Sequence, residues 1–317
     1  SICYDLKQLG YASHCVHNNE GTFYGRNKVF KNLGFDTFAS MEYMNGLTDS
    51  PNGWSNDDVL SREIMKTLDS TSGPDFTMAI TVQSHGKYDG IALDDPTIKV
   101  TGAPERKEQA YEYYVNEIHE VDRMIDTLIK ELSNRKEETV LVLYGDHLPS
   151  LDIQKDDLSN ANLYQTQYVV WDNMNLKKKT KNLHAYQLYA EVLDRIQIHE
   201  GMITKYHQQT KHRSKLYLTG LTTLSYDLLY GDNYAYDGEN PFKQTELQMG
   251  TEPVKLTSVQ KTKSGYRVVG SGFTPYCKVY YDGTLVESEW ISSGCLQLQD
   301  EFELDEADKK DSGEPET

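Results

Sequence analysis

The run Thr139-Val140-Leu141-Val142-Leu143-Tyr144 ends abruptly in Gly145-Asp146-His147. It is too short for a stable helix and rich in β-branched residues, which predicts a strand buried on both faces, as in a parallel sheet. In open α/β sheets ligands bind beyond the carboxyl ends of the strands, so Asp146 and His147 stand where a carboxylate and an imidazole can meet one. One hard oxygen and one borderline nitrogen suit Zn²⁺ or Mn²⁺. A plainer role also fits: Asp146 caps the next turn and His147 is merely polar. A second apolar segment, Phe76 to Val82, ends in the His-bearing turn Gln83-Ser84-His85-Gly86. If the two strands neighbour each other in a parallel sheet, both imidazoles face one crevice.

The elements that must carry these residues follow from periodicity. Asp5 to Gly10 reads as the end of a helix stopped by glycine, and Ala12 to His17 as a short strand. Helical spacing from Tyr24 to Leu33 stops at Gly34. Ser55-Asn56-Asp57-Asp58 opens another helix that runs to about Leu68, its acidic first turn favouring the helix dipole. The longest helix is expected from Pro104, suited to a first helical position, to Leu132; Tyr114, Ile118, Val121, Ile125 and Leu128 form its apolar stripe. Gln167 to Trp171 reads as a strand, and His184 to Ile196 and Lys215 to Leu229 as helices. Strands alternating with helices predict an α/β fold with a doubly wound, mostly parallel sheet.

This α/β domain is expected over residues 1–231, followed by a Gly-, Asn-, Tyr- and Pro-rich linker over 232–253. Short alternating strands over 254–299, with Asp282-Gly283 as a hairpin turn, predict a small β-sandwich-like domain. No titratable constellation stands out there, so a packing or spacing role is expected. Cys277 and Cys295 lie within it and could pair or remain free thiols.

The chain has 317 residues, 38% of them hydrophobic and 26% charged, which accommodates a packed core in a water-exposed protein. A net charge of −17 argues against nucleic acid, which demands a basic footprint. Part of that charge lies in residues 300–317, an acidic segment expected to be disordered. An anionic ligand would therefore need a focused site, such as a metal plus one arginine. The opening Ser1-Ile2-Cys3 lacks an initiator Met and reads as starting mid-pattern, as in a fragment.

An ordered set of motifs carries a resemblance. Gly10-Tyr11-Ala12, His17-Asn18-Asn19, Phe23-Tyr24-Gly25-Arg26 and Gly34-Phe35-Asp36-Thr37-Phe38 come first. Ser84-His85-Gly86, Tyr114-Val115-Asn116, Val121-Asp122, Tyr144-Gly145-Asp146-His147 and Tyr168-Val169-Val170-Trp171 follow. Together, over roughly residues 1–230, they resemble the lipoteichoic acid synthase and phosphoglycerol transferase branch of the sulfatase-like proteins, within the alkaline-phosphatase superfamily. Gly-Asp-His alone is a weak signal; the ordered set is a strong one.

The resemblance implies that Asp146 and His147 ligate a divalent metal, typically Mn²⁺, with Zn²⁺ or Mg²⁺ as alternatives. It places His85 beside the substrate phosphate, steadying the leaving oxygen or passing a proton. Arg26 would clamp a phosphate oxygen, and Asn19 and Tyr24 would line a glycerol-phosphate pocket with His17 nearby. Position 19 is Asn where some members carry Asp, and position 24 is Tyr where the best-known members carry Trp. The family's Thr nucleophile and Glu metal ligand lie on elements preceding the matched region, so this chain alone is expected to be inactive. Also implied are a phosphoglycerol-bearing lipid or glycan substrate, an extracellular location and membrane association through an N-terminal anchor absent from the chain. Two alternatives compete: a sulfatase or phosphatase of the same fold, and a non-catalytic module that binds a glycan or polyanion. Against a sulfatase, no Cys-x-Pro-x-Arg signature occurs.

Overall fold

Alternation along two adjacent strands decides how the main layer packs. A computed structural model describes residues 1–103, 105–212, 214–263 and 265–299. Pro104, expected to open the long helix, and the acidic segment 300–317 lie outside the described residues. The chain opens with α1 (Ile2–Lys7), β1 (Ala12–His17), α2 (Arg26–Leu33), β2 (Thr37–Ser40), α3 (Val59–Asp69), β3 (Asp75–Ile80) and α4 (Glu105–Asn134). Successive side chains of a strand point to opposite faces. Cys15 of β1 and Phe38 of β2 therefore meet Phe30 and Phe35 on one face, while Val16 and Ala39 meet Val59, Leu60 and Met124 on the other. Helices thus cover both faces: α1 and α2 one side, α3 and α4 the other. Each large apolar side chain fully buried in this way contributes about 1.5–3 kcal/mol.

β1 pairs in parallel with both β2 and β3, Cys15 lying opposite Phe38 and Met78. A buried histidine ties the three strands together: His14 meets Thr37 Oγ1 through Nδ1 at 2.8 Å and Asp75 Oδ1 through Nε2 at 3.0 Å. The parallel sheet has the order β3-β1-β2-β6, where β6 is Gln248–Met249. Residues expected as a linker thus return to the main sheet, with Gln248 opposite Thr37, and they bury Leu247 beside Phe38.

The strand ending in Gly-Asp-His departs from expectation. β4 (Val140–Tyr144) pairs with β5 (Tyr168–Asp172) in antiparallel register, Val140 opposite Asp172 and Tyr144 opposite Tyr168. The two form a separate two-stranded sheet, so β4 and β3 are not hydrogen-bonded neighbours. Nor is β4 sealed on both faces: Val140 to Leu143 are half-buried and Tyr144 is exposed. The apolar run reflects one-sided packing, in which Leu141 and Trp171 lie against Ile64, Leu128 and Leu132 of α3 and α4. An unbroken hydrophobic run does not encode which strand it pairs with, and here its partner is the next strand in sequence.

Further on lie α5 (Leu188–Arg195), α6 (Met202–Gln209) and α7 (Tyr217–Leu229). The C-terminal strands are β7 (Lys255–Thr262), β8 (Gly265–Ser271), β9 (Val279–Tyr281), β10 (Thr284–Val286), β11 (Ser288–Ser292) and β12 (Cys295–Leu298). They form an antiparallel sheet of order β11-β12-β8-β7 and the hairpin β9-β10. Asp282 and Gly283 turn that hairpin with φ of 46° and 77°, the pair of positive values a type I′ turn requires. Tyr266, Val268, Phe273, Leu296 and Leu298 form its core, and Cys277 and Cys295 are free thiols. This module rests on the main layer, where Thr274 Oγ1 donates to the Glu42 carbonyl at 2.6 Å.

Candidate active site

The parallel pairing of β1 and β3 brings their carboxyl ends to one side of the sheet. His17 closes β1 and is 1% exposed. Its Nδ1 lies 2.8 Å from the Ile80 carbonyl at the end of β3. A carbonyl only accepts, so Nδ1 carries the proton and the lone pair sits on Nε2. Nε2 is buried without a hydrogen-bond partner among the described residues. Burial, aided by the nearby Arg26 charge, pushes the His17 pKa down to about 4. The ring is therefore neutral at pH 7, with a free acceptor at Nε2.

The loop after β1 is shaped by close backbone approach. A Cβ at Gly21 would fall 2.7 Å from Ser40 Oγ, so only glycine lets the loop lie against the end of β2. The Gly21 amide donates to the Glu42 carboxylate at 3.1 Å, which anchors the loop. Asn19 Oδ1 accepts from the Glu20 amide at 2.7 Å. Tyr24 adopts φ 53° and ψ 16°, an uncommon conformation for a bulky residue, and the residue is 87% exposed. Arg26 begins α2; its guanidinium lies 5.1 Å above the Phe23 ring centre and Nη1 donates to the Glu20 carbonyl at 3.2 Å. These contacts use part of the guanidinium fork and leave other donors for a ligand.

His85 sits in the turn after β3. Its Nδ1 faces the Gly86 carbonyl at 2.8 Å, so Nε2 is the nitrogen available to a substrate. The segment before α3 frames this turn. Asn52 Nδ2 donates to the His85 carbonyl at 3.2 Å, and the Trp54 ring meets the imidazole edge-on at 5.3 Å. Sequence reasoning missed both residues, since a loop Asn and a loop Trp carry no periodic signal.

Asp57 was also missed. Read as a dipole-favouring residue of a helix start, it is fully buried and lies just before α3. Its Oδ1 accepts from Asn18 Nδ2 and from the Val82 amide, each at 2.9 Å, and its Oδ2 accepts from the Gln83 amide at 3.2 Å. Gln83 Oε1 in turn accepts the Asp57 amide proton at 2.8 Å. Burial pushes the Asp57 carboxyl up to about 6, against the pull of those donors. Glu117 of α4 packs behind it, and burial raises its pKa too. The available signal was compositional: four consecutive capping-type residues, 55–58, where a single helix start uses one.

Asp146 and His147 are exposed, by 80% and 66% of their side chains. The Asp146 Oδ1 accepts from the His147 amide at 2.9 Å and lies 3.6 Å from His147 Nε2. His147 Nδ1 faces the Leu148 carbonyl at 2.8 Å, which leaves Nε2 as the free lone pair. A carboxylate oxygen and an imidazole nitrogen so arranged fit part of a divalent-metal shell. Among the described residues no group of three or more His, Cys, Asp or Glu is placed to hold a metal ion. The turn of His85 and the loop after β4 touch where Gly86 packs on Ser150. A cleft of about 370 Å³ between α5 and α6, lined by His207, Gln208 and His212, contains none of these residues.

A family model described as Sulfatase matches residues 1–198. A Rhizobium meliloti protein named "Putative cyclic beta-1,2-glucan modification protein" is 32% identical over 188 residues, covering 54% of this chain and 29% of that protein. Lipoteichoic acid synthase 2 of Bacillus subtilis is 24% identical over 189 residues, covering 59% of this chain and 28% of its own length. The chain thus spans under a third of these curated relatives. The structure of Streptococcus pyogenes phosphoglycerol transferase GacH, in complex with sn-glycerol-1-phosphate, superposes with a TM-score of 0.57 at 17% identity. That match covers 74% of this chain and 66% of the other, and it shows a shared fold.

Proposed function

The chain belongs to the sulfatase family, and on that premise we propose that it supplies the substrate-binding part of an enzyme that transfers phosphoglycerol units during cell-envelope polymer synthesis. The observation that carries this reading is Arg26 at the start of α2, whose guanidinium keeps donors beyond its bond to the Glu20 carbonyl and whose charge acts on the buried His17 at the end of β1. A guanidinium with unused donors suits a phosphate, and a neutral, buried imidazole behind it backs the pocket without adding charge. Relatives named for cyclic β-1,2-glucan modification and for lipoteichoic acid synthesis support a glycan or lipoteichoic acid acceptor, and our reading puts the reaction on the extracellular face of the membrane.

In this reading Arg26 orients the phosphoryl group and neutralises its charge. Tyr24 and Asn19 flank the glycerol. His85 turns Nε2 to the leaving oxygen to pass it a proton, while the Gly86 carbonyl holds Nδ1–H and fixes the ring. A donor aimed at charge that develops in the transition state is worth about 2.7–4 kcal/mol of barrier. Asp146 and His147 Nε2 would hold a divalent metal, Mn²⁺ in our reading, which supplies charge neutralisation and an acidified attacking hydroxyl. That hydroxyl, a threonine in the related branch, is assigned to a residue outside these 317, and the phosphoryl group would pass through it covalently. Turnover by the chain alone is therefore not expected.

Calorimetric titration with sn-glycerol 1-phosphate tests the reading. Binding by the chain should weaken at least tenfold in Arg26→Ala, the change expected for a lost charge-assisted contact of about 1.5–3 kcal/mol. Equal affinity in the two proteins would refute it.

A further inference from the structure

We infer that Asp57 is a positioning residue that clamps the loop bearing Asn19, Tyr24 and Arg26 to the turn bearing His85, so that the two halves of the phosphoglycerol pocket keep a fixed spacing. This inference rests on the pocket proposed above.

The hydrogen bonds define the clamp. Every donor to the Asp57 carboxylate comes from one of the two segments: Asn18 from the first, Val82 and Gln83 from the second. Asn18 separates His17 from Asn19, and Gln83 stands two residues before His85. Asn18 Nδ2 also approaches the carbonyls of Ser55 and Asn56, at 3.1 and 3.0 Å, which binds the same knot to the segment before α3. From that segment Asn52 and Trp54 reach the carbonyls of His85 and Gly86. The carboxylate is not serving its own helix, since none of its bonds goes to an amide of α3.

Burial explains why a carboxylate is used. Burying a charge is unfavourable unless it is fully hydrogen-bonded, and an apolar side chain would pack here at less cost. What only the carboxylate provides is two acceptor oxygens that take three donors from two loops in one rigid plane. The charged groups that act on it and on its neighbour among the described residues are acidic: Asp58 precedes α3, Glu117 faces it from α4, and Glu120 lies one turn beyond. Asn18 and Gln83 are the neutral polar groups turned towards it. The arrangement gains geometric definition between two loops and gives up some stability to do so.

The test compares Asp57→Asn with the chain as it stands. Asparagine keeps Oδ1 for Asn18 and Val82 but presents an NH₂ to the Gln83 amide, so it loosens the His85 side selectively. NMR should show the His85 ring resonances displaced, and affinity for sn-glycerol 1-phosphate about tenfold weaker. Asp58→Asn, exposed and one residue away, should change neither. If Asp57→Asn unfolds, Asn18→Ala cuts the other tie; it should displace the Arg26 Nε resonance, leave the His85 ring resonances unchanged and weaken affinity to a similar degree. Unmoved His85 resonances in a folded Asp57→Asn, or unmoved Arg26 resonances in Asn18→Ala, would overturn the clamp. Failure of the parent chain to bind glycerol phosphate would refute the proposed pocket instead, while the resonance shifts still report on the clamp.

Discussion

Gly86 lies so close to Ser150 that a Cβ added at Gly86 would sit 2.4 Å from the serine hydroxyl oxygen. The contact presses the turn of His85 against the loop that follows Asp146 and His147. It links the proposed phosphate-handling histidine to the proposed metal ligands.

Gly86→Ala should accordingly destabilise the fold by about 1–3 kcal/mol through overpacking. The clashing atom is a side-chain hydroxyl, so Ser150→Ala in the same background should restore most of the loss. Chemical denaturation of the single and double variants checks this. Additive losses would show that the two loops do not meet as described.

Acid response should separate two buried groups. The folded state holds His17 at about 4, below the ordinary 6.5, so its contribution is complete above pH 6.5 and is lost as pH falls towards 4. Asp57 has the opposite sign: raised from 3.8 to about 6, it favours the folded state as pH falls through 6 and loses that advantage as pH rises. Each amounts to about 3 kcal/mol across its full window, so the two largely offset each other near pH 5. Relative to the parent chain, His17→Gln should gain roughly 2 kcal/mol between pH 7 and 5, and Asp57→Asn should lose about 1 kcal/mol. Urea unfolding at both pH values measures this; parallel profiles for all three proteins would contradict it.

Much of the scaffold was legible in the sequence. β1 runs over Ala12–His17 as its apolar pattern implied, the long helix ends within two residues of expectation, and Gly34 stops α2 in a left-handed conformation at φ 92°. Local signals sufficed because each element carries its own period or stop. β2 and β6 were not legible, since four residues and two residues are too short to display a period; α6, as long as α2, ends on Thr210 rather than on a glycine that would mark its stop. The pairing of β4 with β5 is a non-local fact that an apolar run cannot report. At the site, motif order pointed to His17, Arg26 and His85. Asp57 stayed hidden because a buried acceptor and a helix-start carboxylate look alike in sequence.

Backbone strain at Tyr24 should trade against binding. Its φ of 53° costs a non-glycine residue about 1–3 kcal/mol, part of which glycine returns through its greater freedom in the unfolded chain. Tyr24→Gly should raise stability by a few tenths to about 1 kcal/mol, since the exposed ring buries little. It should also weaken glycerol phosphate binding. Greater stability with unchanged affinity would remove Tyr24 from the pocket.

Mn²⁺ should bind the chain weakly, because a catalytic site normally uses three protein ligands and two are placed here. Paramagnetic broadening should centre on Asp146 and His147 and vanish in Asp146→Ala. Broadening centred elsewhere would dissociate this pair from metal binding.

The most direct measurement is a crystal structure of the chain soaked with sn-glycerol 1-phosphate and Mn²⁺. The phosphate is predicted within hydrogen-bonding distance of Arg26 and His85, with an anomalous peak at Asp146 and His147. Ligand density confined to the C-terminal strands, or Arg26 and His85 opening onto separate surfaces, would contradict the account.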